Sequence, residues 1–208
     1  MSVVLYHHPF TRAASVLWML EELGIDHEVR FVNLLGGEHK SAEILALNPM
    51  GKLPIVVDGE VVVTELAAIG LYLADRYAAG RLAPLPDEPR RATYLRWSLF
   101  SPSVIEPGLL AKKAGWTYRE SAAGWGNYEA MLTTLETAIG AGPYVLGDDF
   151  TMVDIILGGT LRYMLRFGLL EPRATFTAYA ERLGARPAWQ RADARNTAIA
   201  QERGIERA

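Results

Sequence analysis

A mixed α/β half followed by an all-helical half is the fold class this chain predicts, and three observations predict it. Strand-like and helix-like periods alternate over residues 1–78. The stretch 79–89, Ala-Gly-Arg-Leu-Ala-Pro-Leu-Pro-Asp-Glu-Pro, then breaks every period with three prolines and a glycine, which reads as a linker. Beyond it, over 90–208, each periodic segment is helical and no strand-like alternation competes.

In the first half, Val3 to Tyr6 is a short buried strand. Residues 12–23 make a helix with Ala13, Val16, Leu17, Leu20 and Leu23 on one face, stopped by Gly24. Val29 to Val32 is a second strand. Residues 41–47 form a short helix that must end before Asn48-Pro49, because the residue ahead of a proline avoids the α region. A hairpin over 53–63 follows, with Asp58-Gly59 as its two-residue turn, since both residues tolerate positive φ. A helix over 65–77 carries Ala68, Ile69, Tyr72 and Leu73. The second half predicts helices over 90–112, 119–139, 152–166, 174–184 and 187–200, the first kinked or split at Ser101-Pro102 and Glu106-Pro107. Phe150-Thr-Met-Val-Asp-Ile155 carries a capping box, Thr151 with Asp154, flanked by a hydrophobic staple. That pattern makes Asp154 a folding residue rather than a catalytic one.

Composition narrows the function classes. With 208 residues, half of them apolar, the chain can bury a sizeable core. A net charge of −3 and no clustered Lys/Arg with interleaved aromatics leave no footprint for nucleic acid. There is no cysteine, so disulfides and thiolate metal sites are excluded, and any thiol chemistry needs a thiol carried in by a ligand. The four histidines have no ligand spacing, and no metal is expected. No apolar run approaches the roughly 20 residues of a membrane span, and the start lacks a basic leader, so a soluble cytoplasmic protein is expected. Phosphate-loop, dinucleotide and Gly-x-Ser-x-Gly motifs are missing from the sequence.

The sharpest stretch is Gly51-Lys-Leu-Pro-Ile-Val-Val57, a proline at the mouth of an apolar strand. Pro54 suits an ordinary strand entry. It also suits a cis proline that turns its neighbour's backbone outward to an extended peptide, although only about 5–6% of X-Pro bonds in folded proteins are cis. Its context is more specific. Asn48-Pro-Met-Gly-Lys-Leu-Pro54, Glu65-Leu-Ala-Ala-Ile69, and Arg12 leading into Val16-Leu-Trp-Met-Leu-Glu-Glu-Leu-Gly24 together resemble the cytosolic glutathione transferase superfamily, in a bacterial, theta- or beta-like form.

The resemblance spans nearly the whole chain and implies a thioredoxin-like first domain with Pro54 cis. Leu53 would then pair through its backbone with the cysteinyl part of glutathione. Glu65 would hold the γ-glutamyl ammonium, and the N–H groups at 65–66 its carboxylate, as helix N-termini bind anions. His39 and Lys52 fall where theta-type enzymes contact the glycyl carboxylate. The family's usual Glu-Ser is here Glu65-Leu66, which removes a charge-assisted hydrogen bond of about 1.5–3 kcal/mol.

A thiol of pKa about 8.5 is only a few per cent thiolate at neutral pH, so such an enzyme must supply a donor and a positive field. The resemblance offers three donors in Tyr6-His-His-Pro-Phe-Thr-Arg12. Thr11 comes first, at a helix N-terminus where the field favours an anion, though it also suits a plain N-cap. Tyr6 sits where mu-type enzymes carry tyrosine, and His8 where theta-type enzymes carry serine. Arg12 adds positive potential or pairs with a surface carboxylate. Phe10, Phe100, Val104, Trp116, Tyr163 and Phe167 are candidates for an apolar electrophile pocket between the domains. The implied activity is addition of glutathione, the co-substrate, to a small apolar electrophile, with glutathione-dependent peroxide reduction as a close variant. A homodimer through the 65–77 helix and the first long helix of the second half is expected. The competing class is a non-catalytic binding or regulatory protein of the same fold. Retained Glu65, His39 and Lys52 speak against it, and Leu66 faintly for it.

Overall fold

The computed structural model describes residues 2–206. They form two compact units, residues 2–77 with 185–206, and residues 78–184.

The first unit is built on a four-stranded sheet of order β2-β1-β3-β4. β1 (Val3–His7) leads through α1 (Ala13–Leu23) to β2 (His27–Phe31), parallel to β1, as a crossover helix requires. α2 (Ala42–Leu47) is capped by the Ser41 side chain, which accepts from the Ile44 N–H at 3.3 Å. β3 (Ile55–Asp58) and β4 (Val61–Thr64) form the antiparallel hairpin, and α3 (Leu66–Ala78) follows. On one side of the sheet, Tyr6, Val32, Ile44 and Ile55 form a buried cluster.

The hairpin turn is displaced by one residue from the sequence expectation. Asp58 pairs with Val61, so the two turn residues are Gly59 and Glu60, and only Gly59 has positive φ (64°). Asp58 is instead the last strand residue, 6% exposed, and its carboxylate accepts from Tyr77 (2.7 Å), Tyr72 (2.9 Å) and Arg76 (2.8 Å). Burial alone would raise its pKa, but the two tyrosine hydroxyls and the guanidinium hold it below the ordinary aspartate value. Satisfying that carboxylate on α3 sets the register.

The last helix, α9 (Pro187–Glu202), packs within this unit although its sequence is contiguous with the helical half. Its buried face, Ala188, Ala192, Asn196 and Ala200, packs there, and arginines along it and at its two ends add polar contacts. Arg191 donates to Glu21 at 2.9 Å, Arg186 to Glu22, and Arg203 lies over the Phe31 ring at 4.9 Å.

The second unit contains α4 (Arg90–Phe100), α5 (Glu106–Lys113), α6 (Tyr128–Gly140), α7 (Met152–Arg166) and α8 (Ala174–Gly184). The predicted 90–112 helix is interrupted by a π-helical segment, Ser101–Ile105, beginning one residue before Pro102. The predicted 119–139 helix starts only at Tyr128, because Gly126 takes φ 64° and Asn127 caps the Ala130 N–H at 2.9 Å. Residues 79–89, expected as a linker, pack into this unit: Leu82 and Ala83 are buried, and the Leu82 carbonyl accepts the Met152 N–H at 2.8 Å. That N–H is one of the donors the start of α7 leaves open. Asp154, fully buried, accepts from the Thr151 N–H (2.8 Å), the Val145 N–H (2.9 Å) and the Tyr179 hydroxyl (2.7 Å), a folding role as the capping box predicts. Gly158 lets α8 approach α7; a Cβ there would stand 2.1 Å from Leu183 Cδ1. Among the described residues, no helix is long and apolar enough to cross a membrane.

Candidate functional site

Strand direction brings three segments together at one end of the sheet. β3 runs antiparallel to β1 with Tyr6 opposite Ile55, so Leu53-Pro54, just before β3, lies beside the end of β1 and the loop after it. β4 pairs Thr64 with Ile55, which places Glu65 and Leu66 at the same end. α1 and α3 both start there, so two helix N-termini, each carrying partial positive charge, face one region. The Leu53-Pro54 peptide bond is cis.

Backbone conformation marks the same segments. Among the described residues, the non-glycine positions with positive φ are Phe10 (62°) and Glu65 (67°). Such a residue costs on the order of 1–3 kcal/mol and persists where its surroundings over-determine it, commonly at binding sites.

The loop ahead of Pro54 is held by Asn48, a role that the sequence reading did not foresee. Its Nδ2 donates to the Lys52 carbonyl (2.9 Å), its Oδ1 accepts from the Met50 N–H (3.1 Å), and its own carbonyl accepts from the Gly51 N–H (2.8 Å). Gly51 has φ 59°, and a Cβ there would meet the His39 carbonyl at 2.6 Å, so two constraints demand glycine. His39 is half-buried and its Nδ1 makes no hydrogen bond, while Lys52 is exposed. Glu65 is exposed ahead of α3, its carbonyl accepting the Ile69 N–H at 2.9 Å, and Leu66 is half-buried.

The three candidate donors in the first loop have different commitments. The Tyr6 hydroxyl accepts from Arg30 of β2 at 3.1 Å and reaches Glu43 of α2 at 3.4 Å. His8 donates from Nδ1 to the Val32 carbonyl at 2.8 Å and stacks on Phe31 at 5.4 Å. Both therefore lean toward β2, the neighbour of β1 opposite β3 and Pro54. The half-buried Thr11 donates to the His8 carbonyl at 2.8 Å and accepts from the Ala13 N–H at 3.2 Å. Arg12 occupies the N-cap position of α1 with helical backbone and no side-chain cap.

A further pair was invisible in the sequence. His7, the last residue of β1, donates from Nε2 to Asn196 Oδ1 of α9 at 3.0 Å, with both residues buried. Burial lowers its pKa to about 4, opposed by the hydrogen bond it donates to Asn196, which raises it. Nothing local signals a contact across 189 positions.

Of the apolar candidates, Phe10 lies in the first unit and the others in the helical one. There Phe100 packs edge-on against Trp97 at 5.0 Å, and the Tyr163 ring lies tilted against Phe167 at 4.6 Å. Val104 lies half-buried in the π-helical segment, and Trp116 is exposed. Among the described residues, no cluster of three acidic or histidine side chains could hold a metal ion.

Residues 1–75 match the family model "Glutathione S-transferase, N-terminal domain" and residues 119–191 the model "Glutathione S-transferase, C-terminal domain". Glutathione S-transferase F14 of Arabidopsis thaliana is 30% identical over 85% of this chain and 76% of its own length. Glutathione S-transferase 3 of Zea mays is 30% identical, over 90% and 91%. A solved glutathione transferase from Methylococcus capsulatus superposes with a TM-score of 0.76 at 27% identity, covering 94% of this chain and 98% of that one. Transferase URE2P6 from Phanerochaete chrysosporium, solved in complex with oxidized glutathione, superposes at 0.78 with 25% identity, covering 95% and 97%. With both domain models matched in chain order on this fold, the chain belongs to the glutathione S-transferase family and is a glutathione transferase.

Proposed function

We propose that this transferase activates the thiol of glutathione at the end of its sheet and adds it to a small apolar electrophile. The observation that carries the reading is the convergence of Leu53-Pro54, Glu65-Leu66 and the loop His8–Arg12. Leu53 offers backbone groups to the cysteinyl part of the tripeptide, Glu65 a carboxylate to its ammonium, and the start of α3 an anion site for its γ-carboxylate. His39 offers a ring N–H and Lys52 a positive charge to the glycyl carboxylate.

Thr11 is the donor this geometry favours. Tyr6 and His8 are held toward β2, whereas rotation about one bond re-aims the Thr11 hydroxyl from the His8 carbonyl to a bound sulfur without giving up the Ala13 contact. The α1 N-terminus and Arg12 add positive potential. A hydrogen bond and a positive field stabilise thiolate over thiol, lowering the pKa and raising the nucleophile's concentration near neutral pH. The apolar side chains Phe10, Phe100, Val104, Trp116, Tyr163 and Phe167 are the proposed contacts for the electrophile. Peroxide reduction needs the same thiolate. A homodimer through α3 and α4 is part of the proposal, supported by exposed Leu95 and Leu99 on α4.

Calorimetric titration with glutathione tests the core of this reading: no heat of binding at millimolar ligand would leave a non-catalytic protein of the same fold. Thr11→Ala should raise the bound thiol's pKa by about one to two units, since a charge-assisted hydrogen bond is worth roughly 1.5–3 kcal/mol. An unchanged ultraviolet thiolate titration would move the role away from Thr11.

A further inference from the structure

Residues 7 and 8 lead directly into the thiol-activating loop, and each is pinned. The His7 carbonyl accepts the Val32 N–H at 2.8 Å, and His8 donates to the Val32 carbonyl. The His8 carbonyl in turn receives the Thr11 hydroxyl. The His7 side chain is held by one group from far along the chain, Asn196. Both partners are at most 2% exposed, and the His7 Nδ1 makes no hydrogen bond. Apart from a weaker backbone interaction at Ala13, the polar partner that orients the imidazole is the amide of Asn196.

The remainder of α9 is attached differently. Arg186, Arg191 and Arg195 reach Glu22, Glu21 and His27 from the rim of the packed face, with partly exposed guanidiniums meeting acceptors that are mostly buried. Asn196 is the point where α9 reaches the strand that carries the loop. We infer that Asn196, acting through His7, is a positioning residue that sets the orientation of Thr11 for the bound thiol. This rests on the function proposed above. Without the amide oxygen, the His7 Nε2–H stands buried with no acceptor, a penalty the ring escapes by turning. Turning it shifts the end of β1 and, with it, the His8 carbonyl and the Thr11 hydroxyl.

The test compares Asn196→Leu, which keeps the branching and heavy-atom count and removes the acceptor, with Asn196→Asp, which keeps an acceptor. Two readouts are used: the ultraviolet thiolate titration of enzyme-bound glutathione, and the backbone amide spectra of residues 8–12 in ligand-free protein. In Asn196→Leu the bound thiol's pKa should rise by about one unit and kcat toward an activated aryl chloride should fall about tenfold below that pKa, while KM for glutathione stays within about twofold. The amide signals of 8–12 should shift. Asn196→Asp should restore the thiol pKa and the amide positions. A thiol pKa and loop spectrum equal to wild type in Asn196→Leu, with only the melting temperature lowered, would overturn the inference. If Asn196→Leu does not fold, Asn196→Ser, too short to reach the ring, carries the same expectations. A wild-type protein that binds no glutathione overturns the functional reading, and the amide spectra still decide by themselves whether Asn196 is coupled to the loop.

Discussion

His7 makes the first unit acid-sensitive in a way that can be isolated. The side chain is fully buried, and burial, the largest influence, holds its pKa at about 4 against 6.5 in an unfolded chain. A base with a depressed folded pKa binds fewer protons folded than unfolded across that interval. Its contribution is complete above pH 6.5 and is lost as pH falls toward 4. At about 1.4 kcal/mol per pH unit, the loss reaches about 2 kcal/mol by pH 5 and about 3 kcal/mol below pH 4. Urea unfolding of wild type and His7→Leu between pH 7.5 and 4.5 measures it. The variant should be less stable at neutral pH, because Asn196 loses its donor, and its stability should fall less steeply with acid. Carboxylates titrate in both proteins and cancel in the difference of slopes. Parallel stability curves from pH 7 to 5 would refute the reasoning, by showing that a proton enters the folded His7 as easily as the unfolded one.

Leu66→Ser restores a hydroxyl at the start of α3 and should tighten glutathione by about tenfold, about 1.4 kcal/mol, by calorimetry; an unchanged constant would mean that the γ-glutamyl carboxylate is bound elsewhere. Asp58→Ala leaves two tyrosine hydroxyls and Arg76 without their shared acceptor, and should cost about 2–3 kcal/mol in urea unfolding. Because the folded Asp58 pKa is depressed, its stabilisation holds above the unfolded value near 3.8 and fades as pH falls below it, so wild type and variant should converge in strong acid. Asp154→Ala strands the Thr151 and Val145 N–H groups and the Tyr179 hydroxyl in the core of the helical unit; a loss of about 3 kcal/mol or more is expected by thermal unfolding.

Local pattern was enough for most of the elements. The helices over 152–166 and 174–184 appear with the boundaries that periodicity predicts, because a capping box and an apolar stripe are written within a few adjacent residues. The strand, helix, strand, helix, hairpin, helix order of the first half is equally local, as are the motif residues of the proposed site. The hairpin turn was read one residue early, because the choice between Asp58-Gly59 and Gly59-Glu60 depends on where the Asp58 carboxylate finds Tyr72, Tyr77 and Arg76. The segment 119–127 looked helical until Gly126 and the Asn127 cap intervened.

The amino-acid sequence by itself determined which residue types are present for thiol chemistry and in which segments they lie. Tertiary structure alone decided that three of those segments meet, since strand order and direction, not spacing, bring residues 11, 53 and 65 to one end of a sheet. It also decided that Tyr6 and His8 are held toward β2 while the Thr11 hydroxyl bonds only within its own loop and the start of α1, and that α9 belongs to the α/β unit through a buried face of Ala188, Ala192, Asn196 and Ala200. The physical reason is range: capping and periodicity act over a few residues, whereas a buried hydrogen bond joins whichever groups the packed chain brings within 3 Å.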